Sequence, residues 1–302
     1  MNEPIAVWPG QLIDLGGQEE VFVRSTPRGA PETAVFVHGL AGSSTNWTDL
    51  MDELRDVVTG HAVDLPGAGY SPPPSGNDYS VDARADMMVK VIESLDNGPV
   101  HLFGNSLGGA ISVRLAATRP DLVRSLTLVS PALPDLMPRY GPARVVVSAA
   151  PRIGEWAVEH LRVLPAERRI VATLAMCYGD MARVHPERLR EAIEELRRRD
   201  GLTYSGQALS ASARAIVAEY FRRGEENLWR QAAKVVAPTL VIHGRKDRLV
   251  DPRMAARAGR TFPKVRLVLL PNAGHVAQME YPALVAKEAR ELISYAIAAS
   301  AA

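Results

Sequence analysis

Cysteine is almost absent from this chain. Cys177 is the single one in 302 residues, so neither an intrachain disulfide nor a site built from several thiolates can form. That fits a reducing compartment. Long apolar runs are missing too: no stretch approaches the roughly 18 uninterrupted apolar residues of a membrane span. The start, Met1-Asn2-Glu3-Pro4, is not a basic region followed by an apolar one, as a secretory leader would be. Nor does one sign of charge dominate. Lys and Arg number 35 against 34 Asp and Glu, so no global field favours nucleic acid or a membrane surface. Internal repeats and low-complexity segments are also lacking. These absences predict a soluble, cytoplasmic protein with no nucleic-acid partner and no membrane span. They leave the oligomeric state open.

What is present reads first as alternating strands and helices. Short opening strands are expected at Gln11 to Asp14 and Val21 to Arg24. Ala34 to Val37 is a continuous apolar run ending at His38-Gly39, and His61 to Val63 is another ending at Asp64-Leu65-Pro66-Gly67. Trp47 to Leu54 reads as a helix. Val81, Ala85, Met88, Ile92 and Leu95 recur at helical spacing, so Met87 and Met88 belong to core rather than to a groove. Val100 to Phe103 and Ser125 to Val129 complete a first half that reads as parallel βαβ units.

From Pro131 the character changes. Prolines at 131, 134, 138, 142 and 151 punctuate it, and the patterns that follow are helical. Pro186 to about Arg199 is the clearest helix, with Leu189, Ile193 and Leu196 as its apolar stripe. Its terminal Arg197-Arg198-Arg199 can be read as an anion site or as a solvated helix C-terminus, and the second is the expected one. Strand character returns at Thr239 to Ile242 and at Val265 to Leu270, and a last helix starts at Pro282. The chain therefore divides into a core of 1–130 and 233–302, interrupted by a helical insertion of 131–232. An insertion between two core strands sits over the strand ends, which makes it a lid.

The chemistry centres on Gly104-Asn105-Ser106-Leu107-Gly108-Gly109. A buried strand stops, a helix follows, and small residues flank a serine at the turn. Such a turn lifts the hydroxyl out of the sheet and points the helix N-terminus, with the Leu107 amide, at charge developing beside Ser106. The bland reading is a purely structural glycine-rich turn. A serine nucleophile also needs a base and an acid to orient it. His275, in the Gly-rich turn after the Val265 to Leu270 strand, is the candidate base. His38, His61 and His243 also lie near strand ends; the glycines after His38 and His243 argue for tight turns there. Asp247 follows the Thr239 to Ile242 strand and is the candidate acid. Asp251, four residues on and before Pro252, suits helix capping better. The loop His38-Gly39-Leu40-Ala41-Gly42 can turn an amide inward, and the N–H of Leu40 is the candidate second oxyanion donor. The resulting order is Ser106, Asp247, His275.

Taken together, His38-Gly39, Asp64-Leu65-Pro66-Gly67-Ala68-Gly69-Tyr70-Ser71, the elbow, Gly244-Arg245-Lys246-Asp247 and Gly274-His275 resemble the α/β-hydrolase fold superfamily. The resemblance covers the whole core in the correct order. It implies an eight-stranded, mostly parallel α/β sheet flanked by helices, with an inserted helical lid, and a structural rather than catalytic Asp64. Haloalkane dehalogenases and epoxide hydrolases of this fold carry aspartate where Ser106 stands. Prolyl iminopeptidases typically have tryptophan at the Leu107 position. The elbow, the Gly244 to Val250 segment and the Gly274 to Glu280 segment are similar to those of meta-cleavage-product hydrolases, which break carbon–carbon bonds. Val276 stands where those enzymes usually have tryptophan, and Leu40-Ala41-Gly42-Ser43-Ser44 replaces their glycine-rich loop.

The expectation is a serine hydrolase that cleaves carboxylic esters or related acyl compounds through an acyl-enzyme, with no metal and no organic cofactor. The alternatives are a carbon–carbon hydrolase and a non-catalytic ligand-binding member of the fold. Cys177 reads as lid packing, since no basic pattern surrounds it. Trp156, Tyr178 and Trp229 are candidates to line the acyl pocket.

Overall fold

The computed structural model describes residues 5–17, 19–135, 149–150, 156 and 160–301. Pro138, Pro142 and Pro151 lie outside them. Eight strands form one sheet: β1 (Gly10–Asp14), β2 (Glu20–Ser25), β3 (Glu32–Val37), β4 (Val58–Val63), β5 (Val100–Asn105), β6 (Val123–Val129), β7 (Thr239–Gly244) and β8 (Val265–Leu270). Their spatial order is β1-β2-β4-β3-β5-β6-β7-β8. The β1–β2 and β2–β4 pairs are antiparallel, and every other pair is parallel. Parallel strands covered on both faces need apolar side chains in both directions. That is why β4 and β5 are buried along their whole length. At the edge, β8 has one neighbour and is largely exposed despite its apolar sequence.

The helices of the core lie on both faces. α1 (Thr48–Leu54) covers one side, α2 (Val81–Ser94) and α3 (Leu107–Thr118) the other. Ser80 Oγ accepts from Ala83 N at 3.1 Å and caps α2. Apart from Arg114, α3 is apolar or small all round, and it is buried from Leu107 to Ala116, as a helix pressed between a sheet and other helices must be. On the α1 side Phe36 stacks on Phe103 with centroids 4.5 Å apart, and Trp47 tilts against Phe36 at 5.4 Å. Such pairs add roughly 1 kcal/mol each beyond the area they bury.

Between β6 and β7 the described chain forms α4 (Ala166–Cys177), α5 (Pro186–Asp200), α6 (Ser205–Glu219) and α7 (Leu228–Ala232). The last part of the core adds α8 (Met254–Thr261), α9 (Ala277–Glu280) and α10 (Pro282–Ala301). α6 is tied to the core through the buried pair Arg114–Glu219, 2.8 Å apart, which links it to α3. The arginine run at the end of α5 departs from the solvated terminus expected of it. Arg197 pairs with Glu167, while Arg198 donates to Gly69 O and lies over the Tyr70 ring. Arg199 donates to Ala41 O at 2.9 Å. The helix end abuts the loops after β3 and β4, and the guanidinium groups satisfy carbonyls there. Among the described residues no helix is long and apolar enough to cross a membrane.

Candidate active site

The strand order reverses around β3, and open α/β sheets bind ligands at such switch points, outside the carboxyl ends of the strands. All the candidate residues lie there. Leu40 follows β3, Ser106 follows β5, Asp247 follows β7 and His275 follows β8.

Ser106 is held at φ 53°, ψ −116°, a conformation that L-residues rarely adopt. Its carbonyl accepts from Ala110 N and Ala132 N, and its own N–H donates to Val129 O at 3.2 Å. The flanking glycines permit the bend by close approach. A Cβ on Gly108 would strike the carbonyl oxygens of Val37 and His38, and one on Gly104 would stand 2.5 Å from Ser112 Oγ. The turn is therefore packed against β3 with no room for side chains.

His275 is buried, and its Nδ1 lies 2.9 Å from Asp247 Oδ2. With the carboxylate ionised, Nδ1 carries the hydrogen and Nε2 is left as an acceptor. Burial alone would raise the Asp247 pKa. The positive end of His275 and hydrogen bonds from His243 and His275 outweigh it and hold the carboxyl below its usual range. Its other oxygen accepts from Leu249 N at 2.8 Å and Val250 N at 2.9 Å. Asp251 instead accepts from Arg253 N and pairs with the Arg253 guanidinium at the start of α8. Ser106 and His275 border the same cavity, with no hydrogen bond between their side chains in this structure. Such bonds are often long in unliganded enzymes and tighten when substrate binds. The amides of Leu40 and Leu107 donate to no described residue.

Three supporting residues were not visible as such in the sequence. His243 brings Nε2 to 3.3 Å from Asp247 Oδ2, the oxygen that also meets His275. Asn105 Nδ2 bridges Val129 O and His275 O at 3.0 and 3.1 Å, joining the His275 loop to the elbow strand. Buried Glu280 accepts from Gly274 N at 2.6 Å and Gly179 N at 2.8 Å. It thereby fastens the His275 loop to the segment after α4. His38 donates Nδ1–H to Gly39 O and accepts from Leu65 N at Nε2, 3.0 Å away, so it braces the Leu40 loop. Burial, partly opposed by that Gly39 bond, pulls its pKa down to about 4 and keeps it neutral. Asp64 accepts from Ser44 N and Tyr70 N, a purely structural turn.

The cavity measures about 550 Å³. Its walls are mainly aliphatic, with Leu133, Ile170, Leu174, Ile216 and Val217 among them, so α4 and α6 contribute much of the lining. Tyr178 and Cys177 border it as well. Burial pushes the Cys177 thiol up to about 12, which makes it inert at neutral pH. The other two aromatic candidates do not line the cavity. Trp229 is buried with Nε1 donating to Pro134 O, and Trp156 lies exposed on His160. Among the described residues no group of three or more His, Cys, Asp or Glu side chains is placed to hold a metal ion.

Residues 34–282 match the family described as alpha/beta hydrolase fold, and the chain belongs to that family. A pimeloyl-[acyl-carrier protein] methyl ester esterase of Nitrosospira multiformis is 30% identical over 276 residues, covering 88% of this chain and 95% of the relative. A dihydrolipoyllysine-residue acetyltransferase component of an acetoin cleaving system, from Cupriavidus necator, is 27% identical across 89% of this chain. The chain spans 65% of that protein's length. A 2-hydroxy-6-oxononadienedioate/2-hydroxy-6-oxononatrienedioate hydrolase of Cupriavidus pinatubonensis is 26% identical over 88% of each chain. Among solved structures, Cfl2 from Burkholderia cenocepacia superposes with a TM-score of 0.81 at 18% identity, covering 96% of this chain and 99% of that one.

Proposed function

We propose that the protein is a serine hydrolase of carboxylic esters or related acyl compounds, acting through an acyl-enzyme. The observation that carries the reading is the convergence at one aliphatic cavity of a serine on a strained turn, an imidazole hydrogen-bonded to a buried carboxylate, and two undonated amides. Ser106 Oγ attacks the acyl carbon while His275 Nε2 takes its proton. Asp247 keeps the imidazole in the acceptor tautomer and offsets the charge it gains. The N–H groups of Leu40 and Leu107 hold the oxyanion, and losing one such donor costs about 3 kcal/mol of barrier. His275 then returns the proton to the leaving alkoxide. Water, deprotonated by the same histidine, releases the acid. Residues 131–232 act as the cap over this cavity, a role supported by the share of its wall that α4 and α6 supply.

Ser106→Ala is expected to abolish hydrolysis of short p-nitrophenyl esters and labelling by a fluorophosphonate, with the thermal transition nearly unchanged. Undiminished turnover in that variant would refute the assignment. One observation favours a second reading: Arg248 borders the cavity and donates to Ala175 O, a cation suited to a carboxylated substrate such as a ring-fission dienoate. A panel comparing dienoate and ester turnover separates the two. Stoichiometric labelling without turnover on either would indicate a non-catalytic binder.

A further inference from the structure

A second cavity, of about 30 Å³, is bordered by Leu40 and Leu107 but by neither Ser106 nor His275. Its lining includes His38, Ala41, Arg84, Arg199 and Ser212. Arg84, on α2, is 2% exposed. Its Nη2 donates to Ser212 Oγ at 2.6 Å, while Nε and Nη1 are buried without any hydrogen-bond partner. Among the described residues no carboxylate forms an ion pair with it; Asp78 adds only a Coulombic attraction, and the guanidinium lies over the Tyr79 ring, 5.4 Å from its centroid. Arg199 approaches from α5 and donates to Ala41 O. The acids nearest to it are occupied elsewhere, Glu195 by Arg198 and Asp200 by Arg169.

An isolated guanidinium is rarely left in this state, because burying a charge without a counter-charge or full hydrogen bonding is strongly unfavourable. Burial lowers the Arg84 pKa to about 10, which leaves it cationic at neutral pH, and shifts Arg199 downward as well. The local field is positive enough that both arginines help to keep His38 neutral. Two cations, two orphaned donors and an adjoining space are therefore found together.

We propose that this cavity binds one compact inorganic anion of the chloride type between Arg84 and Arg199. The anion supplies the acceptor that the Arg84 N–H groups lack and neutralises part of the paired charge. It also ties α2 and α5 to the Ala41 end of the loop that bears Leu40. The space is of the order of one or two water molecules, which suits a monatomic ion better than phosphate.

The site does not depend on the catalytic reading, and its test uses binding alone. Thermal unfolding is measured in sodium chloride and in sodium gluconate at equal ionic strength, and crystals are soaked in bromide. Wild-type protein is expected to melt several degrees higher in chloride, and an anomalous bromide peak is expected between the two guanidinium groups. Arg84→Met should match or exceed wild type in gluconate, since the lone buried charge is gone, and should gain nothing from chloride. Arg199→Gln, which keeps the Arg84 interior intact, should show a several-fold weaker chloride effect. Identical transitions in the two salts would overturn the proposal. So would a bromide-soaked cavity holding only water, or a chloride effect that survives in Arg84→Met.

Discussion

Ser106 carries two separate consequences of one backbone geometry. At φ 53° and ψ −116° the turn exposes the hydroxyl, but a Cβ in that region costs on the order of 1–3 kcal/mol. Glycine tolerates the conformation, so Ser106→Gly is expected to stabilise the fold by about 1 kcal/mol while removing esterase activity. Urea unfolding compared with Ser106→Ala checks this, because alanine removes the hydroxyl and keeps the strain. Equal stability of the two variants would mean that the turn is unstrained. Asp247 shows the same economy of placement. One oxygen serves the two backbone amides after it, and the other serves His243 and His275. The glycine after His243 made a tight turn its natural reading. Its contact with the acid four residues on depends on how the loop after β7 folds back, which no local pattern reveals.

At the level of elements, the docking of the inserted helices rests on a few charged side chains. Arg114 of α3 and Glu219 of α6 are both nearly fully buried. Arg114 keeps Asp82 as a counter-charge at 3.0 Å, so Glu219→Ala removes one charged hydrogen bond and is expected to cost about 1.5–3 kcal/mol in urea unfolding. Replacing both Arg114 and Glu219 by leucine should cost less, because the remaining Asp82 and Arg222 still pair with each other. A double variant as unstable as the single one would show that packing, rather than the broken ion pair, sets the penalty. The arginine run on α5 teaches the complementary lesson. Three successive arginines at a helix end look like a solvated terminus, and here two of them grip carbonyls of the core loops. Which groups meet a helix end depends on the neighbouring element, and the helix pattern carries no trace of it.

Across the whole molecule, burial leaves several histidines neutral. His38, His61 and His101 are each lowered from 6.5 to about 4, chiefly because burial disfavours the charged ring. A depressed folded pKa means that the unfolded chain takes up these protons first as pH falls. Stability from these groups is therefore complete above pH 6.5 and is lost progressively toward pH 4. Each contributes a slope of up to about 1.4 kcal/mol per pH unit, so the three together reach at most about 4. Buried Asp64, Glu219 and Glu280 are shifted upward by burial and act in the opposite sense, which makes the net slope smaller. Urea midpoints measured at pH 7, 6 and 5 should fall with acidification. A flat or rising profile over that interval would overturn the expected fall and mean that the raised carboxyls match or outweigh the rings.

The strand-and-helix order, the elbow and the loops carrying Asp247 and His275 were legible in the amino acids. Each rests on a local signal: an apolar run that must be covered, a helical period, or small residues where backbones touch. The parallel character of the sheet followed from the same runs, since strands apolar on both faces need cover on both. Packing alone brought Glu280 to the His275 loop, set Trp229 away from the cavity and left Arg84 buried without a counter-charge among the described residues. Those contacts join positions distant along the chain, and their existence depends on the angles and separations at which whole elements meet.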